Sequence, residues 1–205
     1  YWYATVAHGS PTLWKFDGLE NRLVGRLELP THGASRIGID PSGRWAWVPD
    51  YWRSGQGMDG QVAVVDLVTL DVRSADAVCP APHDAQVAPT GDLVAVTCSF
   101  SDEVVLLDAD SDKQFARTRL KGGSDVAGQP VLRPMNVVWS PDGSVMYVTL
   151  MGVGQVVALD REGAEVGRVD VGAGPAQLAI LPNGQTLVVA NRGEASASVI
   201  EWAGG

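Results

Sequence analysis

Four polar residues stand at one fixed distance from four copies of one turn. Arg36, Asp84, Asn136 and Gln177 each lie five positions before the proline of Pro41-Ser42-Gly43, Pro89-Thr90-Gly91, Pro141-Asp142-Gly143 or Pro182-Asn183-Gly184. His83 adjoins Asp84, where the other copies have Ser35, Met135 and Ala176. A cation, a carboxylate and two amides brought into one ring could bind a polar ligand or an ion. A His-Asp pair could move a proton or ligate a metal. Two considerations weigh against catalysis. Neighbouring residues of a regular strand point to opposite faces, so His83 and Asp84 should not aim at one atom. The chain has only three histidines, His8, His32 and His83, and lacks Cys-x-x-Cys spacing, a poor basis for a zinc or copper centre. With no Cys-x-x-Cys-His, no haem is covalently held here. We expect no catalytic residue, no metal and no cofactor. Polar side chains that merely line a water-filled channel would give the same pattern.

These residues must be positioned by strands. Each Pro-x-Gly follows a short apolar run and precedes an alternating one, and the unit recurs roughly every forty to fifty residues. A strand-only period of that size predicts an all-β fold, a β-propeller of four-stranded blades with strands A to D running outward from the channel. Strand A is expected at 36–40, 84–88, 136–140 and 177–181. Strand B is expected at 45–50, 93–98, 145–150 and 186–191, and strand C at 61–66, 103–108, 155–160 and 196–201. Strand D is more polar, as an outer edge should be, at 72–78, 115–120 and 165–171. The opening segment supplies B, C and D at 1–7, 13–17 and 23–29, and the last repeat ends after C. About five blades are thus expected, at 1–32, 33–80, 81–130, 131–172 and 173–205, the first and last incomplete. We read the chain as one propeller domain or a segment of a seven-bladed ring. The first residue is not Met, so a removed leader is compatible with the sequence.

The strand order assigns sides. D-to-A and B-to-C connections share one face, the usual binding face of such discs. Cys79 should end strand D of one blade and Cys98 strand B of the next, on that face. A disulfide between them would clamp two blades and imply an oxidising compartment. Two free thiols are the alternative. The longest B-to-C connection runs from Tyr51 through Trp52, Arg53 and Met58 to Gly60, residue types enriched at interfaces. Phe100 and Met151 fall in the next two B-to-C turns. Three apolar tips on one rim suggest a partner surface, unless Trp52 folds back on its own blade. Asp17, Asp66, Asp108 and Asp160 recur at the ends of strand C and are expected to cap turns on the opposite face.

Pro134, Pro141-Asp142-Gly143, Tyr147-Val148-Thr149-Leu150 and Val156-Val157-Ala158-Leu159-Asp160 resemble the YVTN family of β-propeller repeats. Val188-Val189-Ala190-Asn191 keeps the family Asn that Leu150 lacks, while Trp47-Val48-Pro49-Asp50 departs further. The resemblance spans essentially the whole chain and is specific for fold, not activity. With the apolar rim and the expected disulfide, we expect a non-catalytic, extracytoplasmic or periplasmic scaffold that presents its loop-rich face to a protein partner. What the resemblance by itself implies is an accessory place in a cytochrome-containing or other electron-transfer assembly. The alternatives are a channel-mouth enzyme, such as a lactonase-like hydrolase or a dehydrogenase subunit, or a cell-surface adhesion module.

Bulk composition agrees with a globular domain: 205 residues, 45% hydrophobic and 19% charged, with 24 glycines and 12 prolines for turns. The net charge of −9, with scattered arginines, argues against a nucleic-acid partner. No apolar run approaches the ~20 residues of a membrane span. The expected partner is a protein or other segments of a larger propeller.

Overall fold

The structure is a computed structural model that describes residues 1–7, 10–51, 59–124 and 129–202. Its described residues form eighteen strands in five antiparallel sheets and no helix. None of them therefore belongs to a helix long and apolar enough to cross a membrane. The first sheet is β1 (Trp2–Val6), β2 (Thr12–Asp17) and β3 (Arg22–Glu28). The second is β4 (Gly38–Ile39), β5 (Trp45–Pro49), β6 (Gly60–Asp66) and β7 (Asp71–Cys79). The third is β8 (Pro82–Val87), β9 (Leu93–Cys98), β10 (Glu103–Asp108) and β11 (Gln114–Arg119). The fourth is β12 (Pro134–Trp139), β13 (Val145–Leu150), β14 (Gln155–Asp160) and β15 (Glu165–Asp170), and the fifth β16 (Pro175–Ile180), β17 (Thr186–Asn191) and β18 (Ser196–Glu201).

Each sheet is a blade of a β-propeller. Strands β4, β8, β12 and β16 adjoin one another in series around the inner wall. Four apolar layers fill the four gaps between sheets. Leu13 with Val48 and Val65 fills the first, Trp47 and Val64 with Val94 and Val96 the second, Leu106 with Val137 and Met146 the third, and Tyr147 with Leu178 and Leu187 the fourth. Middle strands must therefore be apolar on both sides. All six residues of β9 are buried, odd and even positions serving different layers. The outer strands β11 and β15 keep exposed and half-buried residues, as free edges do.

The inner strands begin earlier than the spacing suggests. β8, β12 and β16 open on Pro82, Pro134 and Pro175, where a missing N–H is tolerated at a first strand position. Just past each proline the pairing register shifts. Such a bulge leaves an N–H outside the ladder. Thr97 Oγ1 accepts the one from Asp84 at 3.1 Å, and Thr149 Oγ1 the one from Asn136 at 3.0 Å. The expectation that His83 and Asp84 serve different places assumed a regular strand, and the bulge removes that premise.

The inner strand of the second blade shrinks to Gly38–Ile39, so Arg36 lies before it rather than within it. Close approach explains the glycine. A Cβ on Gly38 would lie 1.9 Å from the carbonyl oxygen of Ala85 on β8. Gly38→Ala must push two inner strands apart, and its expected cost is about 2–3 kcal/mol by overpacking. Urea denaturation of the variant checks this; an unchanged midpoint would show that β4 does not touch β8.

Candidate functional site

The B-to-C and D-to-A connections converge on one face, where three of them are stitched together by one repeated device. Ala81, Arg133 and Gly174, each just before an inner-strand proline, adopt φ of 53°, 52° and 63°. For Ala81 and Arg133 this left-handed geometry costs roughly 1–2 kcal/mol. Their carbonyls accept N–H groups from the adjoining B-to-C turn: Ser99 on Ala81 at 3.1 Å, Met151 on Arg133 at 3.1 Å and Arg192 on Gly174 at 3.0 Å.

The main support of this face is Asp102, which the repeat pattern does not reveal. It is fully buried, with φ of 53°, in the turn between β9 and β10. Oδ1 accepts the N–H groups of Leu132 at 3.0 Å and Arg133 at 2.9 Å, and Oδ2 those of Ser124 at 2.9 Å and Val131 at 2.8 Å. One carboxylate thus holds both sides of the long connection between β11 and β12. Backbone N–H groups are ideal partners for an anion, and burial strengthens each bond. Buried Asp50 has a lesser form of this role. It accepts His32 N–H at 2.9 Å while its Oδ1 has no partner among the described residues.

The polar ring divides into two kinds of residue. Asp84 is 0% and Asn136 2% exposed, so both lie within the wall between blades. Asp84 Oδ2 accepts Val137 N–H at 3.1 Å and the Asn136 side-chain amide, while Oδ1 accepts Gln86 Nε2 at 2.9 Å. Asn136 Oδ1 accepts Leu178 N–H at 2.7 Å. The same bond therefore links the third blade to the fourth and the fourth to the fifth. These atoms couple blades and leave little capacity for a ligand. Gln177 is exposed and Arg36 half-buried.

His83 is half-buried beside Asp84. Its Nδ1 lies 2.6 Å from the Met135 carbonyl, and Tyr51 meets the ring edge-on at 4.6 Å between centroids. A carbonyl only accepts, so Nδ1 carries the proton and Nε2 of the neutral ring keeps its lone pair. Burial lowers the His83 pKa and Arg36 lowers it further; the Met135 bond and the Asp84 charge oppose this. The unfolded side chain titrates near 6.5. Below that pH the unfolded chain takes up a proton that the folded chain resists, so stability present above it is lost as pH falls. Thermal unfolding from pH 7.5 to 5.5 should show this slope, and His83→Gln should flatten it. An equal slope in the variant would assign the effect to other groups.

Apolar residues of the third and fourth blades gather on this face. Phe100 and Met151 are half-buried, while Val131 and Val153 are 49% and 39% exposed. Gly152 brings this turn against the Asp102-held segment: its N–H donates to Leu132 O at 2.8 Å. Trp52 and Arg53 lie outside the described residues, as does most of the 51–60 connection. Cys79 and Cys98 form the expected disulfide, with Cα atoms 5.9 Å apart and both residues fully buried. On the opposite face Asp17, Asp66, Asp108 and Asp160 cap their turns through backbone N–H groups, as expected. No group of three or more His, Cys, Asp or Glu among the described residues could hold a metal.

Compared by sequence, the chain matches no protein-family model and no curated protein. By structure it is similar to hydrazine synthase of Kuenenia stuttgartiensis, with a TM-score of 0.82 and 17% identity, over 98% of this chain and 68% of that one. It is also similar to the Dos1 propeller, with a TM-score of 0.70, 14% identity and coverage of 94% and 47%. A third likeness is the periplasmic gluconolactonase PpgL of Pseudomonas aeruginosa, with a TM-score of 0.71, 21% identity and coverage of 94% and 60%. At these identities the likeness is one of fold, and the chain spans only part of each neighbour.

Proposed function

We propose that this propeller is a binding scaffold of an extracytoplasmic compartment, docking a protein partner through its loop face. The observation that carries the reading is the Asp102-held connection. A buried carboxylate bonds the backbone on both described flanks of this connection, and the second flank presents Val131 against the turn of Met151 and Val153, with Phe100 on the same face. Ordering an apolar rim before docking lowers the entropic cost of association. The ring residues best suited to chemistry, Asp84 and Asn136, are engaged between blades. The blade-clamping disulfide supports an oxidising compartment. Structures of similar fold include proteins named as enzymes, a hydrazine synthase and a periplasmic gluconolactonase, and an accessory place in an electron-transfer assembly is part of the same proposal.

Lysine placement makes the proposal testable. Lys121 lies in the D-to-A connection of the docking face, whereas Lys113 lies in a C-to-D turn of the other. Cross-linking of native complexes should join a partner to Lys121 and spare Lys113. Val131→Asp should weaken recovery of that partner at least tenfold, the effect of losing about 1.4 kcal/mol at a docking core. Cross-links confined to Lys113, or full recovery with Val131→Asp, would refute the loop face as the docking surface.

A second reading follows from His83. A neutral imidazole whose Nε2 has no hydrogen-bond partner among the described residues is a candidate general base. It requires turnover that His83→Gln abolishes while the fold is retained. Survival of such turnover in the variant would remove His83 from any catalytic role.

A further inference from the structure

Two neighbouring clefts on the face opposite the loops are built alike but filled differently. Between the third and fourth blades, Arg161 follows β14 and lays its guanidinium across the paired Pro-x-Gly turns. It donates to Thr90 Oγ1 at 3.2 Å, to the Gly143 carbonyl at 3.1 Å and to Asp92 Oδ2. A hydroxyl, a carbonyl and a carboxylate from two blades thus receive one planar, forked donor.

The same turns recur one blade on. Aligned on Pro-x-Gly, Thr90 and Asp92 correspond to Asp142 and Ser144, so hydroxyl and carboxylate exchange places, and Gly143 corresponds to Gly184. The position of Arg161 is taken by Trp202, which turns away. Its ring stands edge-on to Tyr147 at 5.3 Å and fills the space above Gly167. A cleft of about 400 Å³ remains, lined by Asp142, Ser144, Tyr147, Gly184, Gln185 and Trp202 among others.

The acceptors in this cleft are available. Asp142 Oδ1 takes bonds from Ser140 Oγ at 2.6 Å, Ser144 N at 3.1 Å and Ser144 Oγ at 2.8 Å, and Oδ2 takes none of these. The same bonds, Ser140 first, hold its pKa down to about 2, so it is an anion. Tyr147 is 1% exposed and lines the cleft, and its hydroxyl is not among the buried unpaired polar atoms of the described residues, so it meets the solvent of the cleft. The Tyr147 ring and the fixed Asp142 carboxylate thus stand together in the wall of the cleft. Aromatic walls also favour a flat cation.

We propose that the cleft between the fourth and fifth blades binds a guanidinium group supplied from outside these blades, in the place Arg161 fills one blade earlier. Asp142 Oδ2 and the Gly184 carbonyl accept its N–H groups, with Tyr147 and Trp202 as aromatic walls. The group can come from a small guanidinium compound or from an arginine of a polypeptide. The site is independent of docking on the loop face.

The test is a titration of the ¹⁵N-labelled chain followed by amide shifts. The probes are N-acetyl-arginine amide, N-acetyl-lysine amide, methylguanidinium and a blocked Gly-Arg-Gly peptide. Saturable shifts are expected at Ser144, Gly184, Gln185 and the Trp202 indole, at least about fivefold tighter for the arginine probe than for lysine. Asp142→Asn, whose amide preserves the turn, should weaken binding about tenfold. Arg161→Ala should open a second site, adding shifts at Asp92 and Gly143. Tighter binding of the peptide than of methylguanidinium supports a polypeptide source, and equal binding a small-molecule source. A folded chain with no saturable shift at these residues, or full affinity in Asp142→Asn, would overturn the proposal.

Discussion

Asp102→Ala should cost about 3–5 kcal/mol, the range for removing one partner of a buried charged network. Four N–H groups, from Ser124, Val131, Leu132 and Arg133, lose their acceptor at once. Arg133 would also lose a bond that holds its left-handed backbone in place. For a domain of this size the melting temperature should fall by roughly 10 °C. The two oxygens make the prediction finer. Asp102→Asn keeps one acceptor oxygen and so one pair of bonds, and its loss should be intermediate. Hydrogen exchange should accelerate first at Leu132 and Arg133, before the strands β9 and β10. Chemical denaturation reads the total, and a change under about 0.5 kcal/mol, the scale of an ordinary surface substitution, would show that Asp102 does not organise this loop.

Removing the disulfide is the second large effect. The bridge closes a separation of 19 residues, and chain-entropy reasoning assigns a loop near this length about 3 kcal/mol. Cys79→Ala with Cys98→Ala also deletes two fully buried sulfurs from the layer containing Trp47, Val78 and Val96. The double variant should therefore unfold at clearly lower denaturant, with the second and third blades separating first. Because both sulfurs are buried, the native protein should resist mild reductant until it unfolds. Equal stability of the double variant and the parent would mean that the apolar layer alone holds these blades. Rapid reduction of the native protein would mean that the layer opens readily.

Much of the architecture is legible in the chain because strand physics is local. The Pro-x-Gly turns, the doubly apolar middle strands and the more polar fourth strands mark eighteen segments near where the structure places them. Turn caps such as Asp66 and Asp160 are legible for the same reason, since each bonds within its own turn. Strand order then assigned each connection to a face, enough to pair Cys79 with Cys98.

The meaning of the polar ring was not legible, because it depends on partners about forty to fifty residues away. Asp84 and Asn136 look in sequence like lumen residues. Only the bulges after Pro82 and Pro134 turn them toward the next blade, where Val137 and Leu178 offer N–H groups. Asp102 carried no signal, since its counterparts Gly154 and Ala195 share its positive φ but no carboxylate. The periodic pattern by itself determined that radial sheets form and which side each loop takes, because turn chemistry and alternation act over a few residues. Tertiary structure alone decided which polar atoms are consumed in joining blades, as at Asp84 and Asn136, and which, like those of Asp142, line a cleft between blades, because that balance is struck only when neighbouring blades meet.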